Sequence, residues 1–286
     1  MKWSIPAKTF FLGEYAAIAG APAIILTTSP CFEVTLTHEP GLQGIHPESP
    51  AGRLWTEQGP ADQGLLWHDP YHGRGGLGAS SAQWLGAYRA VSFSRDKGPM
   101  GVSSDEMLQA YFHSAWSGTG MRPSGYDVWA QSLQGCVYLH GQKAFSHGDI
   151  WPFDDLAFIL VHTGKKLATH QHLQALALSS QMEPLIQMVE SAKSAFESGN
   201  SMRVIDAVNA YHQQLLQMGL VASHSLEQID AWKAHPDVLA IKGCGAMGAD
   251  VLLLLVPRTR LAAFSIHLKS MKQDVLATSD QLYFNQ

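Results

Sequence analysis

A glycine-rich loop that runs directly into a predicted helix restricts the fold of this chain more than any other segment. Residues 72–81 read HGRGGLGASS. Beyond Ala82, apolar residues return at helical spacing, which predicts a helix with Ser80 or Ser81 as its N-cap. Converging backbone N–H groups and a positive helix end suit a phosphate. Gly75, Gly76 and Gly78 could instead form a tight turn that needs them only for positive φ, and composition does not decide between the two.

The composition indicates a folded protein and argues against several classes of function. Of 286 residues, 46% are hydrophobic and 15% are charged, whereas disordered chains have fewer apolar residues and more charge. The formal net charge of -5 leaves no basic excess for a nucleic acid. The three cysteines lie far apart without a C-x-x-C pair, which argues against disulfides and favours a cytoplasmic location. We also expect no signal peptide and no membrane span, since no apolar run approaches the roughly 20 residues of a span.

Hydrophobic periodicity predicts an α+β chain of two lobes, which we divide at residues 1–153 and 154–286. Turns and short edge strands are expected over residues 38–70 because glycine, proline and polar residues are frequent there. Strands are predicted at residues 10–12, 23–27, 32–36, 136–139, 156–161, 238–241 and 251–256. Helices are predicted over residues 104–116, from 126 onward, over about 169–218 and over 261–271.

Two polar residues and a second glycine turn are ambiguous when each is taken alone. Asp127 follows Pro123-Ser124-Gly125-Tyr126, where a carboxylate is commonly a cap or a surface group. Its functional interpretation is a base, or an electrostatic anchor, that orients a substrate hydroxyl for in-line attack. Lys8 is an ordinary solvated lysine unless the fold brings it beside Asp127. Residues 243–248, GCGAMG, lie between two predicted strands and could be a simple hairpin.

Four segments together resemble the GHMP kinase superfamily of galacto-, homoserine, mevalonate and phosphomevalonate kinases. Residues 5–15, IPAKTFFLGEY, are similar to its N-terminal motif P-G-K-x-x-L-x-G-E-[HY]. Residues 76–82, GLGASSA, resemble its phosphate loop G-L-G-S-S-A, and residues 123–127, PSGYD, resemble the P-S-G-x-D segment that carries its catalytic aspartate. Residues 243–248 resemble a degraded form of its C-terminal G-A-G-G-G loop. The four segments occur in the family's order, at roughly its spacing, across nearly the whole chain.

The resemblance implies a two-lobed GHMP kinase fold of the α+β class and a set of site residues. The N-terminal, ATP-binding lobe would be ribosomal-protein-S5-like and the C-terminal lobe ferredoxin-like. Lys8 and Asp127 would be the catalytic pair: Asp127 accepts or orients the proton of the acceptor hydroxyl, and Lys8 lowers the pKa of that hydroxyl and stabilises the moving charge. ATP and Mg2+ are the implied cofactors. The implied ATP contacts are Gly73, Gly75, Gly76, Leu77, Gly78, Ala79, Ser80 and Ser81, and the implied substrate contacts are Glu14, Tyr15, Ser124, Gly125, Gly243 and Gly245.

The resemblance also implies a small-molecule acceptor, phosphomevalonate or mevalonate, and hence a role in isoprenoid biosynthesis. The strings GEY and SGYDV resemble phosphomevalonate kinases more than mevalonate kinases, whereas the length is closer to compact mevalonate kinases. A catalytically inactive GHMP-fold binding protein is one alternative, against which the retention of Lys8 and Asp127 argues. A diphosphomevalonate decarboxylase is another, against which the string PSGYDV argues. We expect neither nucleic acid nor membrane as a partner, and a homodimer is allowed because dimers are common in the superfamily.

The sequence departs from the family at three points. Residues 115–120 lack the Mg2+-binding glutamate that mevalonate kinases place there, so Mg2+ would bind Ser80 or Ser81, the ATP phosphates and water, or another acid. An extra residue before the serines of the phosphate loop leaves both of them as candidates. Ala246 and Met247 occupy positions where the family prefers glycine, and a Cβ there narrows the approach of the backbone to a ligand.

Overall fold

The computed structural model describes residues 1–95, 103–141, 143–146, 151–165 and 182–284. Contacts within the chain divide it into two compact units that interleave along the sequence. The first unit comprises Met1–Lys8, Pro30–Gly73 and Leu77–Leu133, and the second comprises Thr9–Ser29, Arg74–Gly76 and Gln134–Gln286. The predicted lobes follow a single cut after residue 153, and that boundary stays a prediction.

Two long strands contribute to both units. β1 (Lys2–Leu12) and β2 (Ala23–Thr37) pair with each other. The predicted strands at 23–27 and 32–36 are parts of the single strand β2. Ser29 and Pro30 interrupt its apolar alternation at the point where the chain passes from the second unit to the first.

The first unit combines part of a six-stranded sheet with helices. Glu33 to Thr37 of β2 pair antiparallel with β4 (Gly64–His68), and β4 pairs in parallel with β3 (Gly41–Gln43). Trp84 is fully buried, stacks on Tyr88 at 5.0 Å and meets Tyr111 edge-on at 5.1 Å. The described helices of this unit are α1 (Pro50–Gln58), α2 (Ala79–Ser94), α3 (Ser104–Ala115) and α4 (Tyr126–Leu133).

The second unit contains the remaining strands. Ala23 to Leu26 of β2 pair antiparallel with β5 (Cys136–His140), which pairs with β6 (Lys143–Ser146). A separate antiparallel sheet has the order β10 (Asp274–Thr278), β7 (Leu156–His162), β9 (Val251–Pro257) and β8 (Ala240–Cys244). The described helices of this unit are α5 (Met182–Ser198), α6 (Ser201–Gln217), α7 (Ser223–Trp232) and α8 (Leu261–Ser270).

Side-chain packing explains why these elements form. β9 has a neighbour on both sides and six buried residues, which accounts for its uninterrupted apolar run. Phe11, Trp151 and Phe196 form an edge-to-face cluster in the second unit, with ring centroids 5.3 to 6.1 Å apart. Among the residues described, no helix combines the length and apolar character that crossing a membrane requires.

Two predictions of secondary structure need correction or completion. Residues 38–70 are expected to form turns and short edge strands, but they also contain the helix α1. Ser49 caps it by accepting a hydrogen bond from the Gly52 N–H, and Pro50 occupies its first turn. Serine and proline can therefore start a helix as well as a turn. The helical stretch predicted over 169–218 is confirmed as α5 and α6, while residues 169–181 lie outside the described residues. The predicted helices at 104–116, 126 onward and 261–271 are confirmed.

Substituting Gly86 tests the packing of α2 on the sheet of the first unit. A Cβ at this position would overlap the side chain of Val34 and lie 3.2 Å from Cδ1 of Ile5. Gly86→Ala is therefore expected to lower the free energy of unfolding by about 1–3 kcal/mol, although alanine favours a helix over glycine by about 1 kcal/mol. Denaturant unfolding measures the change. Adding Val34→Ala should make the double variant more stable than the sum of the single changes predicts, and a stabilised Gly86→Ala protein would contradict the packing.

Candidate active site

The fold brings Lys8 beside Asp127. Nζ of Lys8 lies 2.9 Å from Oδ1 of Asp127. The Lys8 side chain is 10% exposed, whereas that of Asp127 is 38% exposed, so the carboxylate remains accessible to a ligand. The functional interpretation of Lys8 required that the fold bring it beside Asp127, and the two side chains are paired in the first unit.

Gln131 connects the segments that hold this pair. Its side chain is fully buried, and its Nε2 donates to the carbonyl oxygen of Pro6 at 2.8 Å and to that of Gly78 at 3.2 Å. It lies one helical turn after Asp127, on the same face of α4. Sequence reasoning missed this residue, although its spacing from Asp127 was the available signal.

Glycine is required at position 78 because the backbone there lies too close to two side chains to accommodate a Cβ. Its φ is +78°, and a Cβ there would lie 2.7 Å from Cγ of Lys8 and 3.1 Å from Nε2 of Gln131. The preceding Leu77 is buried and accepts a hydrogen bond from the Lys8 N–H at 3.0 Å. The loop therefore packs directly on the lysine, which a residue other than glycine would displace.

The start of α2 distinguishes the two serines. The helix begins at Ala79 with Gly78 as its N-cap, so the prediction of Ser80 or Ser81 as N-cap is wrong. The Ser81 hydroxyl is buried and donates to the carbonyl oxygen of Gly78 at 2.9 Å. Ser80 is exposed. Because no side chain caps this helix, the N–H groups of its first turn are available to an anion.

The other half of the loop, Arg74–Gly76, belongs to the second unit. Gly76 has φ +83°, and a Cβ there would lie 2.7 Å from Cβ of Asp250 and 2.8 Å from Cγ2 of Val251. Arg74 forms an ion pair with Asp274 at 2.5 Å. Gly76 therefore rests on the start of β9, whereas Arg74 is paired with the first residue of β10. Of the other predicted phosphate contacts, Gly75 is partly exposed and Gly73 donates its N–H to Oδ2 of Asp69 at 2.7 Å.

The segment before α4 fixes the direction of Asp127. Gly125 has φ +75°, and a Cβ there would lie 2.9 Å from Cδ2 of Leu108. Oγ of Ser124 accepts a hydrogen bond from the Tyr126 N–H at 3.3 Å. Asp127 thus lies in the first turn of α4, where the helix dipole favours a negative charge. Burial, and then the charge of Asp127, raise the pKa of Tyr111, which therefore stays a neutral phenol.

Glu14 forms a buried ion pair in the second unit. Its Oε1 lies 2.9 Å from Nζ of Lys242, and the two side chains are 3% and 0% exposed. Burial alone would lower the pKa of Lys242, but the neighbouring Cys244 and Glu14 outweigh it and raise that pKa. The hydroxyl of Tyr211 accepts a hydrogen bond from the Gly13 N–H at 3.1 Å. The predicted contact of Glu14 with a substrate stays a prediction.

The predicted C-terminal loop connects β8 to β9. Gly245 has φ +82°, and a Cβ on Gly243 would lie 2.6 Å from Cα of Gly248. The hydroxyl of Tyr15 accepts a hydrogen bond from the N–H of Met247 in this loop at 2.7 Å. Substrate contacts of Gly243, Gly245 and Tyr15 stay predictions, as do those of Ser124 and Gly125.

Metal-binding groups are sparse in the described ranges. Within residues 1–95, 103–141, 143–146, 151–165 and 182–284, no group of three or more His, Cys, Asp or Glu side chains could hold a metal ion. Ser80, exposed in the first turn of α2, remains the group that could meet a phosphate-bound cation, because the Ser81 hydroxyl is already used.

Comparison with known proteins relates this geometry to one fold. No family model matches the sequence, and no curated protein matches it. The structure is similar to Streptococcus pneumoniae phosphomevalonate kinase in complex with phosphomevalonate and AMPPNP, with a TM-score of 0.79 and 14% identity over 97% of this chain and 99% of that chain. It is similar to Methanococcus jannaschii mevalonate kinase, with a TM-score of 0.75 and 13% identity over 99% and 98%. Lactococcus lactis galactokinase in complex with galactose gives a TM-score of 0.69 and 13% identity over 97% and 92%.

These three neighbours are GHMP kinases, so the chain has the fold of the GHMP kinase superfamily. The predicted α+β class and the resemblance of its motifs to this superfamily are confirmed at the level of the fold. The neighbours are mevalonate, phosphomevalonate and galactose kinases at 13–14% identity, so the likeness concerns the fold alone.

Removing one partner of the buried pair tests the interior of the second unit. Lys242→Met leaves the Glu14 carboxylate buried without its cation and should lower the free energy of unfolding by about 3–5 kcal/mol. Denaturant unfolding measures this loss. The double variant Glu14→Gln/Lys242→Met removes both charges and should recover much of it. Equal stability of Lys242→Met and the native protein would contradict the ion pair.

Proposed function

We propose that this chain is an ATP-dependent small-molecule kinase that transfers the γ-phosphoryl group to a hydroxyl of phosphomevalonate or mevalonate. The pairing of Lys8 with Asp127 at 2.9 Å, beside a glycine loop that opens α2, carries this proposal. An ion pair that only stabilised the fold would not need an accessible carboxylate next to a helix start that lacks a side-chain cap. The GHMP kinase fold supports the same reaction class.

Each residue of the pair has a role that its surroundings allow. The partly exposed carboxylate of Asp127 accepts the proton of the acceptor hydroxyl as the hydroxyl oxygen bonds to the γ-phosphorus. The bond from the γ-phosphorus to the β–γ bridging oxygen breaks, and ADP leaves. Lys8, held between Gly78 and Asp127, stabilises the negative charge that develops on the transferred group.

The start of α2 fits the phosphates of ATP. The N–H groups of Ala79, Ser80 and Ser81 open the helix without a side-chain cap, and Gly78 brings this helix start against Lys8. The exposed hydroxyl of Ser80 fits a phosphate-bound Mg2+, which keeps several waters and needs few protein ligands. When bound, Mg2+ would neutralise charge on the phosphates.

We favour phosphomevalonate over mevalonate as the acceptor. The strings GEY and SGYDV support it, as does the likeness to the phosphomevalonate kinase that binds phosphomevalonate and AMPPNP. A diphosphomevalonate decarboxylase would share the phosphorylation step but release CO2. Product analysis therefore separates these activities.

Incubation of the purified protein with ATP, Mg2+ and each acceptor in turn tests the function. Mevalonate, phosphomevalonate and diphosphomevalonate are supplied separately, and ADP and product mass are measured. We expect phosphomevalonate to gain one phosphoryl group. Gain by mevalonate would reassign the acceptor, and CO2 release from diphosphomevalonate would identify a decarboxylase. ATP binding without turnover of any of the three would contradict the proposed acceptor class, and the absence of both would indicate a protein without kinase activity.

Replacing the catalytic carboxylate tests the role of Asp127. Asp127→Asn keeps the side-chain shape but removes the proton acceptor, so kcat should fall by about 10²–10⁴ while ATP binding changes little. The matched control is Asp105→Asn, which also removes an exposed carboxylate from a first helical turn in the same unit. Near-normal turnover by Asp127→Asn, or an equal loss in the control, would disprove the assignment.

The two serines of α2 should separate by their magnesium dependence. Ser80→Ala is expected to raise the Mg2+ concentration for half-maximal activity roughly tenfold, because an exposed oxygen ligand is lost. Ser81→Ala removes a buried hydrogen bond and should cost about 1 kcal/mol of stability without that shift. Steady-state kinetics at varied Mg2+ and thermal unfolding measure both. If neither variant changes the magnesium dependence, the phosphate loop is placed wrongly.

A further inference from the structure

Met247 adopts a backbone conformation that disfavours it. Its φ is +56° and its ψ is 17°, in the left-handed region that glycine occupies readily and other residues rarely. It stands between Gly245 and Gly248, which also have positive φ. A strained backbone of this kind persists only where its surroundings hold it.

Two hydrogen bonds hold Met247 in this conformation. Its N–H donates to the hydroxyl of Tyr15 at 2.7 Å, and its carbonyl oxygen accepts from the N–H of Ala222 at 2.8 Å. Tyr15 is 2% exposed, so water cannot readily replace it. Burial raises the pKa of Tyr15 to about 12 although the hydrogen bond from Met247 opposes this, so the phenol stays neutral at physiological pH.

The residues after Met247 support the phosphate-binding loop. Oγ of Ser225 donates to the carbonyl oxygen of Gly248 at 2.8 Å, and the Thr163 N–H donates to that of Asp250 at 3.0 Å. Gly76 rests against Asp250 and Val251, since a Cβ there would lie 2.7 Å from Cβ of Asp250 and 2.8 Å from Cγ2 of Val251. Asp250 and Val251, on which Gly76 rests, follow Met247 by three and four residues. A change in the backbone conformation of Met247 therefore alters the surface beneath Gly76.

We propose that Tyr15 is a positioning residue that holds Met247 in the left-handed conformation and thereby fixes the surface beneath Gly76. A glycine at position 247 would adopt the left-handed conformation without strain. In this chain the hydrogen bond to the Tyr15 hydroxyl stabilises that conformation instead. The consequence for ATP binding rests on the proposed function, whereas the restraint on Met247 does not.

Hydrogen–deuterium exchange at the Ala222 amide tests the restraint without any assay of activity. This N–H is bonded to the carbonyl oxygen of Met247, so it exchanges when Met247 leaves its place. Tyr15→Phe should accelerate this exchange roughly tenfold, since one buried hydrogen bond is lost. Adding Met247→Gly should slow it again by roughly fivefold, because glycine adopts positive φ without strain.

Met247→Ala is the matched control in the Tyr15→Phe background. Alanine lacks the long side chain but keeps the Cβ, so it should not slow the exchange. Suppression by glycine and not by alanine supports the proposal. No acceleration by Tyr15→Phe, equal suppression by both residues, or suppression by neither would overturn it.

Kinetics test the second half of the proposal. Tyr15→Phe should raise KM for ATP several-fold with little effect on KM for the acceptor, and Met247→Gly should reverse much of that rise. A change confined to KM for the acceptor would make Tyr15 a substrate contact and overturn the positioning role. If the native protein phosphorylates no acceptor, the proposed function fails while the exchange result still decides whether Tyr15 restrains Met247.

Discussion

The close approach of the backbone at Gly78 to Lys8 is the contact on which the rest of the candidate site depends. It leaves no space for a Cβ, so the loop packs directly against Lys8 and Gln131. The same residue ends the loop and caps α2, which directs the N–H groups of that helix. Gln131 bonds to Gly78 and to Pro6, and it lies one turn from Asp127. A single glycine thus sets where the lysine, the carboxylate and the helix start meet.

Strand β1 and the residues directly after it place one charged side chain in each unit. Lys8, within the strand, pairs with a partly exposed aspartate, whereas Glu14, beyond its end, pairs with the fully buried Lys242. The exposed carboxylate can exchange its partner for a ligand, while the buried pair has no such freedom because each charge would be left without compensation. Lys8 and Glu14 belong to the same sequence motif, but the ion pairs that they form have different roles. The exposure of the carboxylate distinguishes the two pairs.

The sequence predicted the fold class, most helices and strands, and the pairing of Lys8 with Asp127, because these depend on periodicity and on motifs with a known order. It could not place α1, since Ser49 and Pro50 are equally typical of turns and helix starts. Nor could it choose between Ser80 and Ser81, which requires knowing that the Ser81 hydroxyl turns back to the Gly78 carbonyl. The sequence did not identify Gln131 and Tyr15 as positioning groups, because their partners, Gly78 and Met247, are distant in the chain.

The interleaving of the two units has a consequence for biosynthesis. Thr9–Ser29 leaves the ribosome early, but it belongs to the unit whose other main part begins at Gln134. The strand β5, which pairs with Ala23 to Leu26, follows the whole of the first unit in the chain. Pairing over such a separation is slow, and apolar strand residues stay uncovered until their partners have been synthesised. In the nascent chain these strands therefore depend on chaperones or transient contacts for cover until Cys136–His140 has been synthesised.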